Sequence, residues 1–199
     1  MNYAEKFNSP LIDNYIYLYH TDEWLLIPEY PDEVYDSMSS TFSRTDALAR
    51  TSPVFAYSYS GPRTVQVSLN LHRDMVEDLN LNKSNLKVNF VDNEDYVDTL
   101  IKRLQSISLP NYNVSNKSVV PPMVALRLGN EIFIKGIVNG SISVRYVKPI
   151  LDNNKYAQVN ITFEITEVEP YDADSVSNLG SFRGITQQFK NGIYKDEGE

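Results

Sequence analysis

The chain has 199 residues, 18 basic and 26 acidic side chains, a formal charge of −8, 42% hydrophobic residues and no cysteine. This is the balance of a folded globular chain, and the lack of cysteine excludes disulfides, thiolate metal sites, iron–sulfur clusters and a cysteine nucleophile. No apolar run approaches the ~18 residues of a membrane span, and Met1–Lys6 lacks the pattern of a signal peptide, so the sequence predicts a protein made and used in a cytoplasm, with no membrane partner.

Charge is unevenly placed. Residues 1–50 hold 3 basic and 9 acidic side chains, residues 51–120 hold 7 and 7, residues 121–168 hold 5 and 4, and residues 169–199 hold 3 and 6. A duplex-binding surface would show clustered Lys and Arg instead. Solubility explains the acidic ends; a surface that repels nucleic acid is the sharper reading.

Along the chain, aromatic and β-branched residues alternate with polar ones. Tyr15–Tyr19 and Trp24–Ile27 read as short strands, Ser37–Phe42 as a weaker one, and Val54–Tyr59 as a strand ending at the turn signal Ser60-Gly61-Pro62. Thr64–Leu71 alternates strictly, with Val65, Val67, Leu69 and Leu71 on one face and Thr64, Gln66, Ser68 and Asn70 on the other. One buried and one wet face follow. Ala157–Ile165 repeats the pattern and reads as its partner.

A short helical turn is predicted within residues 74–79, and an amphipathic helix over 92–108. Asp92 is its expected cap, and Tyr96, Leu100, Ile101, Leu104 and Ile107 form its apolar stripe. Residues 111–120 read as a polar loop. Met123–Leu128, Ile132–Val138 and Ile142–Lys148 read as successive strands of an antiparallel meander, with Gly129-Asn130 and Asn139-Gly140 as hairpin turns. Residues 171–199 read as a polar surface arm, flexible when free.

No chemistry-bearing constellation emerges. His20 and His72 are the only histidines, so multi-histidine metal sites are excluded, and no Gly-Xaa-Ser-Xaa-Gly elbow accompanies them. Asp92-Asn93-Glu94-Asp95 resembles a calcium-loop fragment but lacks the following glycine and the bidentate Glu, and helix capping explains it better. Carboxylate pairs brought together in space stay open. The sequence predicts no enzyme, and no catalytic, cofactor-binding or metal residues. Its 14 tyrosines and 19 asparagines suit wet, adaptable protein interfaces; low-GC codon usage, which inflates Asn, Tyr, Ile and Lys together, explains them equally well.

Three stretches in order resemble baseplate hub and tail tube initiator proteins of contractile bacteriophage tails. They are Pro28–Phe42; Arg50–Met75; and Pro121-Pro122 with Leu128-Gly129, Phe133–Val138 around Gly136, Tyr146, Pro149-Ile150 and Ala157–Glu164. The resemblance covers about residues 25–168. Some relatives carry a C-terminal LysM module. The 31 residues after Val168 are too few and too polar for one, so peptidoglycan binding is not carried over.

The resemblance implies a mainly β (α+β) fold: a tail-tube-like antiparallel β-sandwich or barrel with one packed α-helix and extended terminal arms. Residues 1–50 would be N-terminal strands and an extended arm belonging to the core, 51–168 the tail-tube-like domain with helix 92–108, and 169–199 a polar C-terminal arm. The implied function is structural: a hub or tube initiator in the virion baseplate, assembled in the host bacterial cytoplasm. It would join the central spike to the tail tube and template tube assembly.

Implied partners are copies of itself in a ring of six, the tail tube protein, and other hub, baseplate and tape-measure proteins. DNA would pass along a polar bore without specific binding. The alternatives are a wedge-side or tube-adaptor baseplate protein and, from a different class, a cell-wall hydrolase of the same machine.

Overall fold

A computed structural model describes residues 14–168, apart from 47, 50, 78–79, 81–87, 91–93, 110, 114–117, 121 and 130, together with residue 173. The strands predicted by strict alternation form and pair. Strand β6 (Thr64–His72) lies antiparallel to β12 (Tyr156–Glu167), with Val67 opposite Phe163 and Leu69 opposite Ile161. Val65, Val67, Leu69, Leu71, Val159, Ile161, Phe163 and Ile165 are all buried. Period-two patterning decides the fold here, because a slip of one residue would turn this whole set to water.

Six further strands extend this pair into one antiparallel sheet. They are β1 (Tyr15–Leu18), β2 (Glu23–Leu26), β3 (Glu33–Ser37), β9 (Met123–Leu128), β10 (Ile132–Val138) and β11 (Ser143–Ile150). The order is β2-β1-β9-β10-β12-β6-β3, with β11 also on β12. Ile16, Leu18 and Leu25 from one end of this order share a single apolar cluster with Val67 and Leu69 from the other, so the sheet folds over a common core. Among the described residues the chain is thus mainly β, with antiparallel sheets and one α-helix, as the alternation predicts.

That helix, α1 (Tyr96–Ile107), fills the core with Tyr96, Val97, Leu100, Ile101, Leu104 and Ile107. Its cap is Asp95 rather than the expected Asp92. The Asp95 backbone is extended, and its carboxylate accepts a hydrogen bond from Asp98 N at 2.8 Å. Asp92 itself lies outside the described residues. The Tyr96 hydroxyl donates to the Leu26 carbonyl at 2.6 Å, and Arg103 pairs at 2.9 Å with buried Glu23, tying the helix to β2. The predicted turn at 74–79 begins as a 3-10 turn at Arg73–Val76.

Three local expectations differ from the structure. The weak strand over 37–42 is two strands, β3 and β4 (Ser40–Thr45), broken at Met38-Ser39, where Gly61 N donates to the Ser39 carbonyl at 2.8 Å. Within the expected polar loop 111–120, β7 (Asn111–Asn113) and β8 (Ser118–Val120) pair antiparallel, with Tyr112 opposite Val119, residue types that favour strands.

The third concerns Asn139-Gly140, which closes no hairpin. Both β10 and β11 pair with the same side of β12, one after the other, so 132–150 is a single bent ribbon. Asn139 N keeps the ladder by donating to the Glu164 carbonyl at 3.0 Å, while Gly140 takes φ +88° to make the corner. A dipeptide that supplies positive φ serves a bend as well as a hairpin.

Two glycines therefore predict different costs. A Cβ at Gly136 would lie 2.0 Å from the Thr166 backbone oxygen of the paired strand, whereas a Cβ at Gly140 meets no atom within 4 Å. Gly136→Ala is expected to force β10 off β12 and cost more than ~3 kcal/mol, while Gly140→Ala carries only the positive-φ strain of about 1–2 kcal/mol. Leu69→Asp, an unpaired charge in the core, is expected to leave no cooperative unfolding transition. Thermal melts of the three variants check these outcomes.

Candidate functional site

The residues that stand out chemically form two exposed surfaces, a polar sheet face and an aromatic ribbon. The first is built from the four strands β11, β12, β6 and β3, in that order. Register places Ser37, Thr64 and Thr166 in one row across this segment, then Tyr35, Gln66 and Glu164, then Glu33, Ser68, Thr162 and Ser143, then Asn70, Asn160 and Arg145. All lie opposite the buried set. This face is amide- and hydroxyl-rich, and its formal charges are Glu33, Glu164 and Arg145. Gln158 donates to Asn70 across it. At the bent corner a shallow hollow of about 350 Å³ is lined by Gln66, Ser141, Ser143, Thr162 and Glu164.

Beyond β3 and β6 the same two chains continue as a separate two-stranded ribbon, β4 with β5 (Val54–Ser60). Every residue of both strands is exposed. Pleating sorts them: Phe42 faces Tyr57 with ring centroids 5.7 Å apart, and Phe55 shares their side, while a bulge between Thr41 and Phe42 turns Tyr59, opposite Thr41, to the other side. Ser43 and Ser58 hydrogen-bond on the other side at 2.7 Å. Phe42, Phe55, Tyr57 and Tyr59 are 54%, 61%, 60% and 61% exposed. An isolated two-stranded ribbon is marginal in water, and this one exposes three rings on one face and a fourth, Tyr59, on the other.

The ribbon is clamped at its root. Arg63 follows Gly61-Pro62 and is 7% exposed. Its guanidinium grips Asp36 through two bonds, Nε to Oδ1 at 2.9 Å and Nη2 to Oδ2 at 2.6 Å, and donates to the Phe133 carbonyl at 3.2 Å. Such forked geometry holds direction as well as charge. The opposite end of the sheet has its own latch. Arg73 and Lys155 both pair with Asp95 and Asp98 at the start of α1, and Arg73 Nε donates to the Tyr156 carbonyl at 2.8 Å. Burial alone would raise the pKa of Asp98; the hydrogen bonds from Arg73 and Lys155 outweigh it and hold that carboxyl below its ordinary value.

The two histidines are far apart in role. His72 donates its backbone N–H to Glu29 at 3.0 Å, and its Nδ1 lies 3.3 Å from the same carboxylate. His20 titrates low, chiefly through burial, with Glu23 opposing and Arg103 reinforcing. Of the calcium-like run, Asp95 caps α1 and Glu94 pairs with Lys102. No cluster of metal-ligating side chains occurs among the described residues. No helix among them is long and apolar enough to cross a membrane.

The sequence reading passes over the aromatic ribbon. Its alternating rings in Val54–Tyr59 are a readable signal, but alternation cannot say whether the apolar face lies on the core. Comparison with known proteins brings out no matching family model and no significantly similar curated protein.

Two substitutions test the clamps. Asp98 has a folded pKa below its unfolded one, so its contribution is full above the unfolded value and is lost as pH falls through the folded value. Asp98→Asn is expected to cost about 1–2 kcal/mol at pH 7, and the gap from the parent chain should close as pH falls below ~4. Arg63→Met, which removes both bonds to half-exposed Asp36 and the bond to the Phe133 carbonyl, is expected to cost about 1–3 kcal/mol, less than a fully buried pair because water reaches Asp36. Urea unfolding across pH measures both.

Proposed function

We propose that this protein is a structural component of a contractile-tail baseplate, a hub or tube initiator that works as a ring, with six copies the expected number, between the central spike complex and the tail tube. The observation that carries the reading is the four-stranded segment β11-β12-β6-β3. Its central strands β12 and β6 bury one face in the core, the other face of the segment is polar with few formal charges, and both of its edges lack a neighbouring strand among the described residues.

A ring of such segments would enclose a wet bore. Nucleic acid is held by cationic neutralisation, and the amides, hydroxyls and few charges of this face offer little of it, so DNA would move past without sticking. The exposed ribbon suits the second half of the role, the joining of one protein to another. Its rings would be covered by the tube protein or by a neighbour within the baseplate. The resemblance of residues 25–168 to hub and initiator proteins points the same way.

Charge then governs timing. Each subunit carries −8, so free subunits repel and wait for a template, and salt favours their assembly by shortening the screening length to about 8 Å at physiological strength.

The test is tail assembly with Phe42, Tyr57 and Tyr59 all changed to Ser. These side chains are exposed, so the isolated variant should melt within about 0.5 kcal/mol of the parent. Tails built with it are expected to lack tubes, and electron microscopy of tails built with the parent chain should place it at the junction of spike and tube. A chain found outside the baseplate, or a variant that builds normal tubes, would sink the reading.

A further inference from the structure

We propose that Asn139-Gly140 is a modification site. In the folded chain the Gly140 nitrogen closes a succinimide ring on the Asn139 side chain, ammonia leaves, and the asparagine ages to aspartate and isoaspartate. The inference stands apart from the baseplate reading and holds or fails without it.

The reaction needs a nucleophile, room and freedom to turn. The nucleophile is the main-chain nitrogen of the residue that follows an asparagine. Its approach to the side-chain Cγ is least hindered when that residue is glycine, which has no Cβ. Asn-Gly occurs twice in the sequence, at 139–140 and at 191–192, and the second pair lies outside the described residues. Room is present at the first. Asn139 and Gly140 are both exposed, and even an added Cβ at Gly140 would meet no atom within 4 Å.

Freedom to turn follows from the hydrogen bonds at the corner. The Asn139 N–H is held, donating to the Glu164 carbonyl at 3.0 Å. The peptide group on its other side is not: neither the Asn139 carbonyl nor the Gly140 N–H has a partner among the described residues, and the Asn139 carboxamide has none there either. Gly140 takes φ +88°, a region that glycine enters without strain. The reacting atoms thus swing about a fixed pivot. Three other asparagines lack this combination. Asn14 is buried and accepts from Gly129 N at 2.8 Å, Asn70 accepts from Gln158, and Asn153 accepts from Lys155 N at 3.0 Å. Each is also followed by a residue that carries a Cβ.

Water closes the balance. The Gly140 nitrogen gives up its proton and attacks Cγ of Asn139. The N–Cγ bond forms, the Cγ–Nδ2 bond breaks, and Nδ2 leaves as ammonia with a proton from solvent. Water then adds to either ring carbonyl. Opening at Cγ breaks the new bond and leaves a carboxylate side chain on an ordinary main chain. Opening at the main-chain carbonyl breaks the original peptide bond and routes the chain through Cβ and Cγ. No oxidant or reductant takes part.

Both products alter the corner. Glu164 is the one charged side chain lining the hollow that Asn139 borders. A carboxylate at position 139 sets a second negative charge there and takes the chain from −8 to −9. The isoaspartate adds one main-chain carbon to residues 139–142, between the ends of β10 and β11. The pairing of Ser143 with Thr162 just beyond has to absorb that extra length.

The experiment is peptide mapping of the full folded chain during storage in warm, mildly alkaline buffer. Trypsin cuts after Lys135 and Arg145, so residues 136–145 are read apart from the second Asn-Gly pair, which falls in 191–195. The 136–145 peptide is expected to gain about 1 Da and to split into two isomers. Its rate in the folded chain should lie within about tenfold of that of the same sequence as a free synthetic peptide. Gly140→Ala, whose new methyl crowds the attacking nitrogen but meets nothing else, is expected to slow conversion at least about tenfold. A folded chain that keeps the mass of 136–145 while the free peptide converts overturns the inference. So does a Gly140→Ala chain that converts as fast as the parent.

Discussion

The pairing of β6 with β12 is the constraint from which the other features descend. Nine consecutive partners, from Thr64 with Thr166 to His72 with Gln158, hold two alternating sequences in one register. With Leu69 and Ile161 turned inward, Asn70 and Asn160 have nowhere to go but outward. Each buried Leu or Ile contributes roughly 1.5–3 kcal/mol against its exposed state, so eight such apolar positions outweigh any other register by a wide margin. The polar face is thus the obligatory reverse of the core, and the same interactions that stabilise the chain lay out the surface that the proposed role would turn to a bore.

How much of this is readable in the sequence depends on how local the signal is. The alternation at 64–71 and 157–165 and the stripe from Tyr96 to Ile107 are local patterns, and both appear where the spacing puts them. The partner of each strand is not local. Asn139-Gly140 has the composition of a hairpin, yet the chain bends there and continues along β12, because β12 is long enough at Tyr156–Glu167 to receive both β10 and β11. Asp92 and Asp95 both have capping chemistry in the sequence; the cap is Asp95, whose carboxylate also meets Arg73 and Lys155, partners remote in sequence. The aromatic ribbon escapes for a related reason: Phe55, Tyr57 and Tyr59 alternate as a core strand would, and nothing within Val54–Ser60 announces that no core lies beneath them.

The ribbon and the clamp at its root belong together. A two-stranded element exposed on both faces has too few contacts to hold a direction by itself. Arg63 supplies that direction by joining Asp36 on β3 to the Phe133 carbonyl on β10, two strands that do not touch in the sheet order. An arm whose rings must meet a partner at a defined angle benefits from such anchoring, since less freedom is lost when the partner arrives. The latch of Arg73 and Lys155 on Asp95 and Asp98 does for the far end what Arg63 does for the near one.

Charge placement gives the last link from sequence to assembly. A chain with 26 acidic and 18 basic residues could place acids anywhere on its surface, yet the outward rows of β12 and β6 carry a single formal charge, Glu164. The charged residues of the segment stand at its margins instead, Glu33 on β3 and Arg145 on β11. A neutral centre with oppositely charged rims is a poor arrangement for binding an ion or a polyelectrolyte, because the centre offers hydrogen bonds without field. In the proposed ring it would leave the bore lined by amides and hydroxyls, with the charged rims at the margins of each segment.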